Sequence, residues 1–285
     1  MRGELQKISA FAIVDADVKS PWRQASQLLR PKRVTVTRYE IQMRRSPDIT
    51  KSSINSCATS VVYINPPKPS GFVASSELQV EAIGYDLNQA LCGRTLENIF
   101  VYRPGSPNPK YASMRLKKSS NSCALIRGNT TLISTIYRWG PGRHPRMRIL
   151  NSSVSVEEAI EDENVRGELI EVKSRSIVSR GQIFDTSLGK FEWRYGTRDE
   201  QAACDADSLL VMEADGKRIG LFVRNDQFRT AGTRQYSGGN GGRLMLDLRI
   251  CDNPENVEAF AVASCILMLK READRFIDNN VAAVV

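Results

Sequence analysis

Histidine is nearly absent from this sequence, and its scarcity excludes several kinds of active site. The chain has one histidine among 285 residues, so a Ser-His-Asp triad or a histidine-ligated metal site would have to include His144. That residue lies in "GPGRHPRMR", a turn-like stretch that holds an imidazole poorly. No Gly-x-Ser-x-Gly or His-Glu-x-x-His motif is present. The sequence therefore predicts no catalytic residue, metal or cofactor.

Paired cysteines are also missing. The six cysteines are scattered singly, without a Cys-x-x-Cys pair, which argues against a zinc site, and Cys265 lies inside an apolar run. Reduced thiols in a cytoplasmic protein are the expectation, with peripheral attachment to a membrane as an option. The apolar patch near the N-terminus is short and bounded by Glu4 and Asp15, which is unlike a secretory signal.

Charge is plentiful but uneven. The net charge is +8. Residues 96–155 hold ten basic and one acidic residue, whereas residues 156–213 hold seven basic and fourteen acidic residues. The basic stretch predicts an anionic partner, and the alternative is that the two stretches face each other and neutralise.

Regular strand patterns start at about residue 96. Residues 1–95 mix serines, prolines and basic residues and are interpreted as a loosely ordered N-terminal extension; residues 96–285 are the folded domain. Short β-branched and aromatic runs with turn residues between them indicate a mainly β fold, an antiparallel β-barrel of about 11–12 strands. These runs cover residues 96–103, 111–118, 122–128, 130–139, 146–150, 167–174, 177–185, 190–196, 208–215, 217–225 and 243–250.

The stretch "AFAVASCILML", residues 259–269, has no charged residue and one hydroxyl, Ser264. Pro254 can begin a helix here, and the helix is predicted over residues 254–276. Its apolar side chains project around the whole circumference, so one sheet face would leave half of them wet. Eleven residues span only about 16 Å, too short for a bilayer core of about 30 Å. The prediction is a helix inside the barrel; the alternative is a helix wedged between a sheet and the N-terminal extension.

Many short antiparallel strands followed by one apolar C-terminal helix resemble the tubby C-terminal-like superfamily, which includes phospholipid scramblases and LURP-one-related proteins. The stretch "LFVRNDQFRTAGTRQYSGGNGGRLMLDLRI" and the helix after it also resemble uncharacterised tubby-like proteins of filamentous fungi. The resemblance covers residues 96–285 and implies a non-enzymatic binding or scaffold domain that docks on phospholipid or phosphoinositide. The lysine and arginine pair that binds phosphoinositide in tubby proteins has no defined counterpart here.

Two groups of residues are candidates for binding an anion. The first is a basic face, which would attract anionic lipid: Arg115, Lys117, Lys118, Arg138, Arg143, Arg146 and Arg148. Its alternative is a solvated face balanced by the acidic run at 157–163. The second is the glycine-rich loop 236–244, where backbone N–H groups with Arg234, Asn240 and Arg243 would hold a phosphate at a barrel mouth. With this loop as its site, the protein would be a small-molecule enzyme or carrier. Its alternative is a plain connection into the next strand.

Nucleic acid is a third, weaker prospect. Tyr111, Tyr137 and Trp139 lie beside the basic residues, as in proteins that stack single-stranded bases. Their alternation with arginines predicts that they point inward, so core packing is the preferred interpretation. The expected partners are anionic membrane lipid or another protein.

Overall fold

The computed structural model describes residues 71–85, 98–117, 120–138, 143–151, 154–175, 179–235 and 237–282. The chain divides after Ile64, and every described residue belongs to the second part. Of the predicted N-terminal extension 1–95, residues 1–70 and 86–95 lie outside the described residues, so its predicted loose order is not tested there.

Thirteen antiparallel strands form one sheet that curls into a nearly closed barrel. The order around it is β7-β6-β5-β4-β3-β2-β1-β13-β12-β11-β10-β9-β8. The free edges approach each other where the Glu168 carboxylate accepts the Ser187 backbone N–H at 2.6 Å. The strands are β1 Ser76–Glu81, β2 Ile99–Tyr102, β3 Pro109–Met114, β4 Cys123–Arg127, β5 Thr130–Ile136, β6 Arg146–Leu150, β7 Gly167–Glu171, β8 Lys173–Ser174, β9 Gln182–Thr186, β10 Gly189–Tyr195, β11 Ser208–Ala214, β12 Lys217–Arg224 and β13 Gly242–Leu246.

The predicted barrel is confirmed, with two differences in its strands. The segment 167–174 is split into β7 and β8, and β1 had no predicted counterpart. β1 falls inside the stretch interpreted as an extension, yet it pairs with both β13 and β2. Leu78 and Val80 are its inward residues and are fully buried. The sheet thus begins before residue 96.

Tight turns set the register of neighbouring strands. Asp215 and Gly216 join β11 to β12 with φ of 49° and 75°. Positive φ at both central residues matches the twist of the flanking strands. Asp-Gly is the residue pair that tolerates this geometry best, so the hairpin follows directly from the sequence.

The long helix α3, Pro254–Ala282, runs through the barrel. Every residue from Val257 to Lys270 is buried, as the all-round apolar pattern predicts, and the helix extends six residues beyond the predicted end. Each large apolar side chain buried here contributes about 1.5–3 kcal/mol. Trp193 on β10 donates its indole N–H to Ser264 at 2.8 Å, which uses the single hydroxyl of the apolar run.

The two ends of the barrel differ. We call the end where α3 begins the proximal end and the opposite one the distal end. The turns β4–β5, β9–β10 and β11–β12 at the proximal end have two residues each, whereas the loops after β5, β10 and β12 lie at the distal end. Two short helices, α1 Val156–Glu161 and α2 Arg198–Ala203, lie outside the barrel. α1 packs over β4 and β5 with Ala159 buried.

Candidate functional site

Part of the predicted basic face is neutralised by the acidic segment that follows it. Lys117 pairs with Glu161 of α1 at 2.7 Å. The Arg148 guanidinium donates to the backbone carbonyls of Asp162 and Glu163, at 3.3 and 2.7 Å. These residues therefore hold α1 and its following turn against the barrel.

The remaining basic residues lie where β5 ends and β6 begins, at the distal end. Arg143 is exposed, and Arg138 and Arg146 are half-buried. Within the described residues none of the three has a carboxylate within ion-pair distance, although Arg146 lies opposite Glu171 in the strand register. Arg115 donates its backbone N–H to Asn98, and Lys118 lies outside the described residues. Of the predicted face, Lys117 is thus paired with a carboxylate, Arg148 is bonded to backbone carbonyls, and Arg138, Arg143 and Arg146 have no carboxylate partner among the described residues.

The three residues predicted around the glycine-rich loop do not converge. Asn240 donates its side-chain N–H to the Arg234 carbonyl at 2.6 Å, which keeps these two together. Arg243 points to the outer face of β13, where it pairs with Glu77 at 3.1 Å and covers the ring of Phe228. Neither arginine lines the cavity that the loop borders.

The loop's glycines serve close packing rather than phosphate binding. A Cβ on Gly238 would meet the Cβ of Phe276 at 2.5 Å, so only glycine lets the loop lie against α3. The Gly238 N–H donates to Tyr85, and the Gly241 N–H donates to Ala82. With these amides already used, the loop has few free donors for an anion.

A cavity of about 340 Å³ does open at the distal end, and we call it the mouth cavity. Its charged side chains were not predicted as site residues. The sequence feature that could have indicated them is the charged stretch "KREADRF", which follows the apolar run and contains Glu272 and Arg275. The lining comprises Arg180, Tyr195, Asp207, Ser208, Arg224, Arg229, Gln235, Ser237, Gly238, Asn240, Glu272, Arg275, Phe276 and Asn279.

Two ion pairs occupy one side of the mouth cavity. Arg224, which is buried, pairs with Glu272 at 2.5 and 2.9 Å, and Tyr195 donates its hydroxyl to the same carboxylate at 2.8 Å. Burial lowers the pKa of Arg224 and the Glu272 charge raises it, with a net shift upward. Arg229 pairs with Asp207. These four charges compensate one another.

The proximal end holds a different polar cluster, around Glu258 of α3. This buried carboxylate accepts hydrogen bonds from Ser76 at 2.6 Å, from Tyr111 at 2.8 Å and from Lys110. Burial raises the pKa of Glu258, but these three donors outweigh it and the net shift is downward. Glu258 directly precedes the apolar stretch 259–269, and Lys270 directly follows it. Both are buried.

The aromatic residues considered for base stacking are used internally. Tyr111 is buried beside Glu258. Tyr137 donates its hydroxyl to Asp274 of α3, and burial raises the pKa of that hydroxyl. Trp139 lies outside the described residues. Tyr137 is partly buried and packs against the core, so both described tyrosines are used in packing.

The described part of the chain also shows the surroundings of the histidine and of four cysteines. His144 is exposed on the segment before β6. The four described cysteines are free thiols, with Cys123 and Cys265 buried. Over the described ranges, no cluster of three histidine, cysteine or acidic residues could hold a metal ion. Across the same ranges, no helix has the length and hydropathy needed to cross a membrane.

Comparison with known proteins gives no match. No protein-family model, no curated protein and no solved structure is significantly similar to this chain.

Proposed function

We propose that the barrel is a non-enzymatic binding domain that docks on anionic phospholipid through its distal end. The observation that carries this proposal is the group of Arg138, Arg143 and Arg146, which lack a carboxylate partner within the described part of the chain. Each basic residue near an anionic membrane contributes about 1 kcal/mol. Three of them correspond to a roughly hundredfold preference for charged over neutral lipid.

Kinship with the tubby C-terminal-like superfamily stays a prediction. A barrel wrapped around an apolar C-terminal helix supports it, and a lipid-docking role agrees with it.

Vesicle sedimentation tests the proposal. Wild-type protein should sediment with vesicles of phosphatidylcholine and phosphatidylserine and remain in solution with phosphatidylcholine alone. A triple variant with Arg138→Gln, Arg143→Gln and Arg146→Gln should lose most of this binding. Arg127→Gln is the matched control, because Arg127 is exposed at the proximal end and pairs with Glu255 at 3.0 Å. Equal binding by the triple variant would reject the proposal.

A second candidate function is a small-molecule site at the barrel mouth. The mouth cavity favours it, although with residues other than those the sequence predicted.

A further inference from the structure

The mouth cavity has an excess of positive charge. Among the described residues, its lining includes four arginines and two carboxylates, Asp207 and Glu272. Since Glu272 is engaged by Arg224 and Asp207 by Arg229, two guanidinium groups remain, those of Arg180 and Arg275. Neither has a carboxylate within ion-pair distance among the described residues. The cavity is therefore cationic by about two charges.

Arg275 is the more unusual of the two. Its Nη1 atom is excluded from solvent and has no hydrogen-bond partner in the described structure. A buried donor left unsatisfied costs about 1–3 kcal/mol. Native proteins rarely keep such a group unless it serves a site. A ligand with hydrogen-bond acceptors and negative charge would remove this cost, because it would satisfy the guanidinium donor.

We propose that the mouth cavity binds a phosphate group between Arg275 and Arg180. A phosphomonoester carries close to two negative charges at neutral pH, which matches the two uncompensated guanidinium groups. Guanidinium donors pair with phosphate oxygens in a bidentate fashion. Ser237, Gln235 and Asn279 add neutral donors at the rim. The volume of about 340 Å³ suits a small ligand or one lipid headgroup.

This inference is independent of vesicle docking, because it rests on residues of α3 and the β8–β9 connection rather than on the β5–β6 connection and the start of β6. Calorimetric titration with inorganic phosphate and with glycerol 3-phosphate tests it. Wild-type protein should bind both probes. Arg275→Gln and Arg180→Gln should each weaken binding about tenfold or more, while Arg127→Gln, at the proximal end, should bind as wild type does. Unchanged binding by Arg275→Gln, or no binding of either probe by wild type, overturns the proposal.

Thermal unfolding of the variants shows whether a loss of phosphate binding comes from a loss of folding. Arg275→Gln should unfold at or above the wild-type midpoint, since it removes an unsatisfied buried donor. Arg275→Lys, which keeps the charge but loses the fork, should bind the probes with intermediate affinity. A loss of phosphate binding with an intact melting transition then reports on the site and not on the fold.

Vesicles distinguish the two sources of the phosphate group. If the ligand is a lipid headgroup, Arg275→Gln should weaken binding to phosphatidic acid vesicles more than to phosphatidylserine vesicles, and glycerol 3-phosphate should compete. If the ligand is a free phosphorylated molecule, Arg275→Gln should lose only the soluble probes. Both results support the site. The triple variant of Arg138, Arg143 and Arg146 should retain phosphate binding, so a failure of lipid docking leaves this inference standing.

Discussion

The two ends of the barrel differ in how fully their buried charged groups are hydrogen-bonded. At the proximal end, Glu258 receives three donors from β1 and β3. At the distal end, Arg224 and Glu272 form a pair, but the Nε atom of Arg224 and the Nη1 atom of Arg275 are buried without partners. A satisfied cluster stabilises a fold, whereas an unsatisfied one indicates that something else completes it. We therefore assign the proximal cluster to structure and the distal one to binding.

Charged substitutions in the middle of α3 are expected to have the largest effect. They test whether the barrel encloses this helix on every side. Ile266, Leu267, Met268 and Leu269 point in four directions about 100° apart around α3, and all four are buried. Replacing each in turn by Asp should cost more than about 3 kcal/mol or prevent folding, because a charge enters the core unpaired. Urea denaturation measures the loss. A single tolerant position would mean that one side of α3 faces water.

Glu258→Gln is expected to have the next largest effect. The amide keeps the size of the side chain but loses the charge that Lys110 and Tyr111 bind, so the free energy of unfolding should fall by about 1.5–3 kcal/mol. Glu255→Gln is the matched control. It lies on the same helix one turn earlier and is mostly exposed, so it should change stability by less than about 1 kcal/mol. Similar losses of unfolding free energy for the two variants would contradict a structural role for the proximal cluster.

Acid should weaken the proximal end. The Arg249 guanidinium is the main cause that lowers the pKa of Asp247 to about 2. A lowered native pKa gives stability that is present at neutral pH and is lost as the pH falls from the ordinary value of 3.8 toward 2. Asp247→Asn should therefore flatten the dependence of the melting midpoint on pH in that window. A slope as steep as that of the wild type would contradict this assignment.

Asp274, at the distal end, should respond in the opposite direction but weakly. Burial raises its pKa above the ordinary value, so protonation favours the native state and acid should not destabilise this region. Asp274→Asn retains an oxygen that can accept from Tyr137, and we expect a change in stability within about 1 kcal/mol at neutral pH. A loss as large as that of Glu258→Gln would show that the two ends are alike.

Much of the barrel follows from local patterns. The alternation of β10 indicates that Phe191, Trp193 and Tyr195 share its inner side, and Asp215-Gly216 is typical of a hairpin turn. β1 has the same alternation at Leu78 and Val80, but the serines and prolines before it hid the signal. Local pattern determines which face of a strand is apolar, and this information is contained in a few neighbouring residues.

The residues of the candidate site could not be predicted from local sequence patterns. Arg243 follows Asn240 closely in sequence, yet the pleat of β13 sends its side chain to the outer face. Arg275 and Arg180 are far apart in the chain and come to line one cavity only through the fold. Which charges pair depends on this long-range arrangement, so the basic face looked uniform in sequence although α1 neutralises part of it.

The central claim is that the proximal cluster is complete and the distal one is not. Equilibrium unfolding of Glu258→Gln and Arg275→Gln, measured side by side without added phosphate, tests it most directly. The account predicts opposite signs: a clear loss of stability for Glu258→Gln, and no loss or a gain of up to about 1 kcal/mol for Arg275→Gln. Comparable destabilisation by both substitutions would contradict it, because the Arg275 guanidinium would then be as fully satisfied as the Glu258 carboxylate.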